Sequence, residues 1–140
     1  MKVLLDTCVI SEIRRPKGSP QVRARVDQLA DADLFLSVIT IGEVAKGTAL
    51  LKAGKKKQSL EQWLSEVEQH YSTRILPVDS ETAEIWGQIT AKAQKRGHVI
   101  PVSEGLIAAT AIRHGIHVMT RNTDHFAKAG ALLVDPWENG

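Results

Sequence analysis

The sequence predicts an α/β domain built on a central, mostly parallel sheet. Two observations carry that expectation. Short apolar runs alternate with longer amphipathic segments along the chain, the pattern of strands joined by crossover helices. The first run, Val3 to Asp6, is continuously apolar until it meets an acid, which fits a strand buried on both faces.

Taken in order, the elements follow from spacing and punctuation. A short helix after Asp6 is expected to break in Ser11 to Pro20, where Pro16, Gly18 and Pro20 stand among Arg14, Arg15 and Lys17. Gln21 to Leu29 places Val22, Val26 and Leu29 at helical spacing, and Leu34 to Ser37 reads as the second strand. Thr40 is expected to start a helix carrying Ile41, Val44, Ala45, Thr48 and Leu51. With Glu43 three residues on, Thr40 matches a capping box. Ala53-Gly54 ends that helix, and Gln58 to His70 forms the next, with Leu60, Trp63, Leu64 and Val67 on one side. Together they make a helical hairpin around residues 40–71, with Lys55, Lys56 and Lys57 in its turn.

Arg74 to Pro77 reads as a strand and Ser80 to Lys95 as a helix stopped by Gly97. Pro101-Val102-Ser103 leads into a helix from Glu104 to Arg113. Ile116 to Met119 is a strand that runs into the loop Thr120-Arg121-Asn122-Thr123-Asp124, and Leu132 to Val134 is the last strand. No internal repeat or linker divides the chain, so one domain over residues 1–140 is expected.

Bulk properties narrow the class. The 140 residues are 43% hydrophobic and 24% charged, which sets aside disordered, collagenous and low-complexity chains. A formal charge of +2 permits a nucleic-acid partner without demanding one. The single cysteine, Cys8, offers neither an intramolecular disulfide nor a metal knuckle. No apolar stretch approaches the ~18 residues of a membrane-spanning helix, and VLL is too short for a signal-peptide core. A cytoplasmic location with no membrane partner is expected.

The acids carry the functional reading. Asp6 closes the first strand, and carboxyl ends of strands are where open α/β sheets place ligands. Asn122 lies just past a later strand, with Asp124 two residues on, while Glu43 and Glu104 fall in first turns of helices. All four places can meet at one sheet edge. An oxygen-rich pocket without Cys or paired His fits Mg²⁺ or Mn²⁺, and such an ion activates water and neutralises charge on a phosphate oxygen. Hydrolysis of a phosphodiester is the reaction class. Each residue also has a local explanation: a turn for Asp6, the capping box for Glu43, the helix dipole for Glu104, a loop or N-cap for Asn122 and Asp124.

The stretches LLDTCVISE, SVITIGEVAKG, GLIAATA and VMTRNTDHF, with VDPW near the end, resemble PIN-domain ribonucleases of the VapC type, including their FitB-like members. The resemblance runs through nearly the whole chain. It implies a three-layer α/β/α fold and a Mg²⁺- or Mn²⁺-dependent endoribonuclease that is the toxin of a toxin–antitoxin pair. The family's catalytic positions fall on Asp6, Glu43, Glu104 and Asn122, with small hydroxyls at Thr7 and Thr120 supporting the site; Asp6 and Glu104 are the expected metal ligands, and Asp124 is expected to supply the charge that Asn122 lacks. The resemblance also implies a homodimer, an RNA substrate, a small VapB/FitA-like antitoxin, and contact with DNA only through that antitoxin.

Two positions depart from the family pattern. Glu104 stands where the family has Asp, which lengthens the side chain by roughly 1.5 Å. Asn122 is a neutral carboxamide where FitB-like members carry Asp, although other VapC-like members have Asn. An alternative follows: a weakly active or inactive module acting mainly in a DNA-bound regulatory complex with its antitoxin. A phosphatase-type reading of DTC needs a second Asp where Cys8 stands, and it ranks last.

Among the remaining features, Arg14, Arg15 and Lys17 are close in sequence to Asp6 and are expected to meet RNA. Lys52 and Lys55 to Lys57 read as a solvated cluster, Trp63 and Trp86 as packing or dimer-interface residues, and His125 as a surface-loop histidine.

Overall fold

Val3, Leu4 and Leu5 have no exposed surface, and they form the central strand, β1 (Val3–Leu5). In the computed structural model, which describes residues 1–138, β1 is flanked by β2 (Leu34–Ser37) and β4 (His117–Met119). β3 (Ile75–Leu76) and β5 (Leu133–Val134) lie outside them, giving the order β3-β2-β1-β4-β5 with every pair parallel.

Side chains alternate across this sheet with the period of two that a strand imposes. Val3, Leu5, Leu34, Leu36 and Met119 enter one core. There they meet α1 (Thr7–Arg14), α2 (Pro20–Asp27) and α4 (Lys55–His70) through Val9, Ile10, Val22, Val26 and Val67. Leu4, Phe35 and Val118 enter the other, against α5 (Ser80–Lys95), α6 (Val102–His114) and α7 (Thr123–Lys128). The result is three layers, α/β/α. α3 (Val38–Ala49) follows β2 and contributes Ile41 and Val44 to the first core and Ile39 to the second.

Local differences from the sequence reading have physical causes. α1 continues through Ser11 to Arg14, because the break falls at Arg15, whose extended backbone (φ −68°, ψ 131°) is what a following proline requires. Pro20 opens α2 at its first position, where a missing N–H costs nothing, and Ser19 caps it. The expected capping box at Thr40 does not form. Ser37 is the N-cap of α3, accepting from the amide of Ile39 at 3.0 Å, so Thr40 is already inside the helix and Glu43 is free for another partner. Lys55, Lys56 and Lys57 belong to the first turn of α4 and not to the preceding turn. The expected loop after β4 becomes helix at Thr123.

Candidate active site

In a parallel sheet the chain leaves each strand at the same edge, and here it winds outward from β1 in both directions. β1 and β4 are therefore the pair at which the strand order reverses, and a crevice opens beyond their carboxyl ends. The register sets Leu5 beside Met119, so the next residues, Asp6 and Thr120, face each other across that crevice. Both are buried.

Asp6 is held from three directions. As N-cap of α1 its Oδ1 accepts from the amide of Thr7 at 2.9 Å. Its Oδ2 accepts from the Thr120 hydroxyl at 2.8 Å, and the Cys8 thiol lies 3.6 Å from the same oxygen. Thr120 in turn accepts from the amide of Asn122 at 2.9 Å, so one hydroxyl ties the turn after β4 to the acid after β1. Burial pushes the Asp6 carboxyl above the usual carboxylate range. The donors from Thr120, Thr7 and Cys8 counter that, and the negative charge of Glu104 adds to the upward push. Burial likewise raises the Cys8 thiol, which keeps it in the less reactive protonated form.

Glu43 reaches the site from α3. Its Oε1 accepts from the Thr7 hydroxyl at 2.7 Å, and Thr7 also lies 3.2 Å from the hydroxyl of Thr40. The Thr7 hydroxyl has one proton to donate, and the shorter, charge-assisted contact with Glu43 takes it in preference to Thr40. Glu104 reaches the site from the first turn of α6 and is mostly buried, with Oε2 2.6 Å from Nδ1 of His125 on α7. Close helix packing carries it there. A Cβ on Gly105 would stand 3.0 Å from the Trp86 indole of α5, tighter than an ordinary contact, so any larger residue there requires the ring to give way.

The structure thus brings Asp6, Thr7, Glu43 and Thr120 into one hydrogen-bonded group, with Glu104 near enough to act on Asp6 by its charge. Asn122 joins through its backbone, while its exposed side chain makes no hydrogen bond among the described residues. Asp124 is exposed in the first turn of α7. Arg14 and Arg15 line a cleft together with Thr7 and Glu43, and Lys17 is exposed outside it. His125 lies on α7, where the sequence pattern predicts a surface loop. Six residues are too few to show helical periodicity, and Asn122 as an N-cap ahead of Thr123-Asp124-His125 was the one available signal.

Among the described residues no three His, Cys, Asp or Glu side chains form a preassembled metal cage. The donor set still fits Mg²⁺ or Mn²⁺, hard ions that keep several waters and need only one or two carboxylates. Asp6 is a desolvated carboxylate with a second carboxylate raising its proton affinity, and a cation would relieve both effects. Glu104 keeps Oε1 without a hydrogen-bond partner among the described residues. No helix among the described residues is long and apolar enough to cross a membrane.

Fold and site together define a three-layer α/β/α domain with an acidic pocket at its switch point. The chain belongs to the PIN-domain family, whose model matches residues 3–132. Toxin FitB of Neisseria gonorrhoeae is 41% identical over 138 residues, covering 98% of this chain and 99% of its own. VapC ribonuclease Y4jK of Sinorhizobium fredii is 37% identical over 137 residues, covering 97% and 98%. A solved structure of FitAB bound to an IR36 DNA fragment matches with a TM-score of 0.92 at 40% identity, covering 99% of this chain and 97% of that one.

Proposed function

We propose that the chain is a metal-dependent endoribonuclease, the toxin of a toxin–antitoxin pair, which hydrolyses RNA phosphodiester bonds at the pocket around Asp6. The observation that carries this reading is the buried Asp6 carboxylate at the β1/β4 switch point, fixed by Thr7 and Thr120 and facing the charge of Glu104. Family membership and the similarity to a VapC ribonuclease and to toxin FitB support it.

Asp6 and Glu104 are the residues that would hold Mg²⁺ or Mn²⁺. When bound, such an ion lowers the pKa of a coordinated water and neutralises charge on the phosphate. The chain's own groups do the positioning. Thr120 fixes the rotamer of Asp6, and His125 fixes the longer side chain of Glu104. Thr7 holds Oε1 of Glu43, which leaves Oε2 to accept a hydrogen bond from the attacking water and orient it. Asn122, exposed at the rim, offers a carboxamide to the entering phosphate, and Asp124 adds negative charge at that rim. Burial of Asp6 and Thr120 lowers the effective dielectric around that pair, which strengthens the hydrogen bond between them.

The partner is a VapB/FitA-like antitoxin, with DNA reached only through it, and the chain acts as a homodimer. The similarity to a FitAB complex on DNA supports this partner. It also favours a second reading, in which cleavage is weak and the DNA-bound complex is the main role.

Incubating the purified chain with tRNA and structured RNAs in Mg²⁺ or Mn²⁺ tests the proposal. Cleavage that Asp6→Asn abolishes is the expected result. Absence of cleavage by a folded, metal-loaded chain, with antitoxin affinity retained, moves the regulatory reading ahead.

A further inference from the structure

The cleft that contains Thr7 and Glu43 extends between α1, α3 and α4 and has a volume of about 320 Å³. Arg14, Arg15 and Lys56 also line it. Lys56 comes from the lysine cluster that the sequence reading treats as solvated, and it stands 41 residues from Arg15 in sequence. Against Glu43, three cations leave the cleft positively charged, while Lys17 lies outside.

These cations are available to a ligand. Lys56 makes no ion pair among the described residues. Arg15 has one loose contact with Glu12 at 3.7 Å while its side chain is 65% exposed, a pair of negligible strength. The Arg14 guanidinium lies over the Trp63 ring at 5.4 Å from its centroid, and Ser59 is 3.5 Å from one of its nitrogens. These contacts hold the guanidinium beside the cleft, and arginine there can take a stacked base, as single-stranded RNA modules use it.

We propose that Arg14, Arg15 and Lys56 form a subsite for the backbone phosphate of a single-stranded RNA nucleotide flanking the cleaved bond, with the base stacked on Arg14. This rests on the ribonuclease reading. The ligand chemistry follows from the cleft itself. Its volume is on the scale of about one nucleotide, its charge attracts phosphate, and Thr7 and Glu43 tie it to the acidic pocket. An acidic antitoxin segment is the competing occupant.

Fluorescence anisotropy of a labelled mixed-sequence single-stranded RNA, measured in EDTA across a salt series, tests the subsite. Lys56→Gln and Arg15→Gln are each expected to weaken binding by about threefold to tenfold and to lower the salt slope by about 0.7. Lys17→Gln is expected to change neither, and thermal melts of all three variants report their folding. Unchanged affinity and slope in Lys56→Gln and Arg15→Gln, with the native chain still binding and cutting RNA, overturns the subsite and leaves the ribonuclease reading standing. Loss of antitoxin affinity in these variants without loss of RNA affinity overturns it in favour of the peptide. A native chain that neither binds nor cuts RNA removes the ribonuclease reading and the subsite with it.

Discussion

Nδ1 of His125 lies 2.6 Å from Oε2 of Glu104, joining the first turn of α6 to α7 at the mouth of the acidic pocket. The contact gives the Glu104 side chain a fixed seat. Partners that orient a metal-binding carboxylate typically contribute ten- to a hundredfold in affinity or activity. His125→Ala is therefore expected to weaken Mn²⁺ binding and RNA cleavage by about tenfold or more, with thermal stability nearly unchanged because the His125 side chain is half-exposed. Mn²⁺ titration and cleavage rates on the same preparation check this.

Thr120 both donates to Asp6 and accepts from the Asn122 amide, with no exposed surface of its own. Thr120→Val keeps its shape and removes both bonds. Leaving the buried Asp6 carboxylate without this donor costs about 1–3 kcal/mol, so a clear drop in the free energy of unfolding is expected, together with lower cleavage as Asp6 loses its fixed rotamer. Denaturant titration and a cleavage assay measure the two effects separately.

Gly105→Ala would place a methyl 3.0 Å from the Trp86 ring, beside Glu104. Overpacking of this kind costs about 1–3 kcal/mol and here displaces the turn that presents the acid. Lower stability and reduced cleavage together are expected, and Trp86→Phe in the same chain should recover part of both by making room.

Asp31 accepts from His70 at 2.9 Å and from Arg74 at 3.0 Å, and these partners, His70 first, hold its carboxyl below the usual 3.8. A depressed folded value means the stabilisation is present above about pH 3.8, the unfolded value, and is lost as pH falls through the folded one. Asp31→Asn should lower Tm at pH 7, and the gap from the native chain should close in more acidic buffer. A gap that stays constant down to pH 2.5 would contradict the assignment.

The layer structure was legible because strand-length apolar runs and helix periodicity do not depend on distant residues. Val3 to Leu5 had to be doubly buried, and Asp6 at its end had to sit at a ligand-bearing edge. What escaped the sequence was decided by tertiary contacts. Thr40 and Glu43 satisfy the spacing of a capping box, yet Ser37 takes the cap and Glu43 goes to Thr7, 36 residues away. His125 meets Glu104 across 21 residues, and Lys56 enters the cleft from a helix whose first turn was expected to be a loop. Sequence proximity likewise placed Lys17 with Arg14 and Arg15, although the helix end at Arg15 turns it out of the cleft.

The claim on which the chemistry rests is that Asp6 and Glu104 hold a divalent ion together. Calorimetric titration of Mn²⁺ into the native chain, Asp6→Asn and Glu104→Gln tests it most directly, with thermal melts showing that each protein is folded. Saturable binding by the native chain, lost or weakened at least tenfold in both variants, is the expected result. Binding of equal strength in all three proteins would contradict it and place any metal elsewhere.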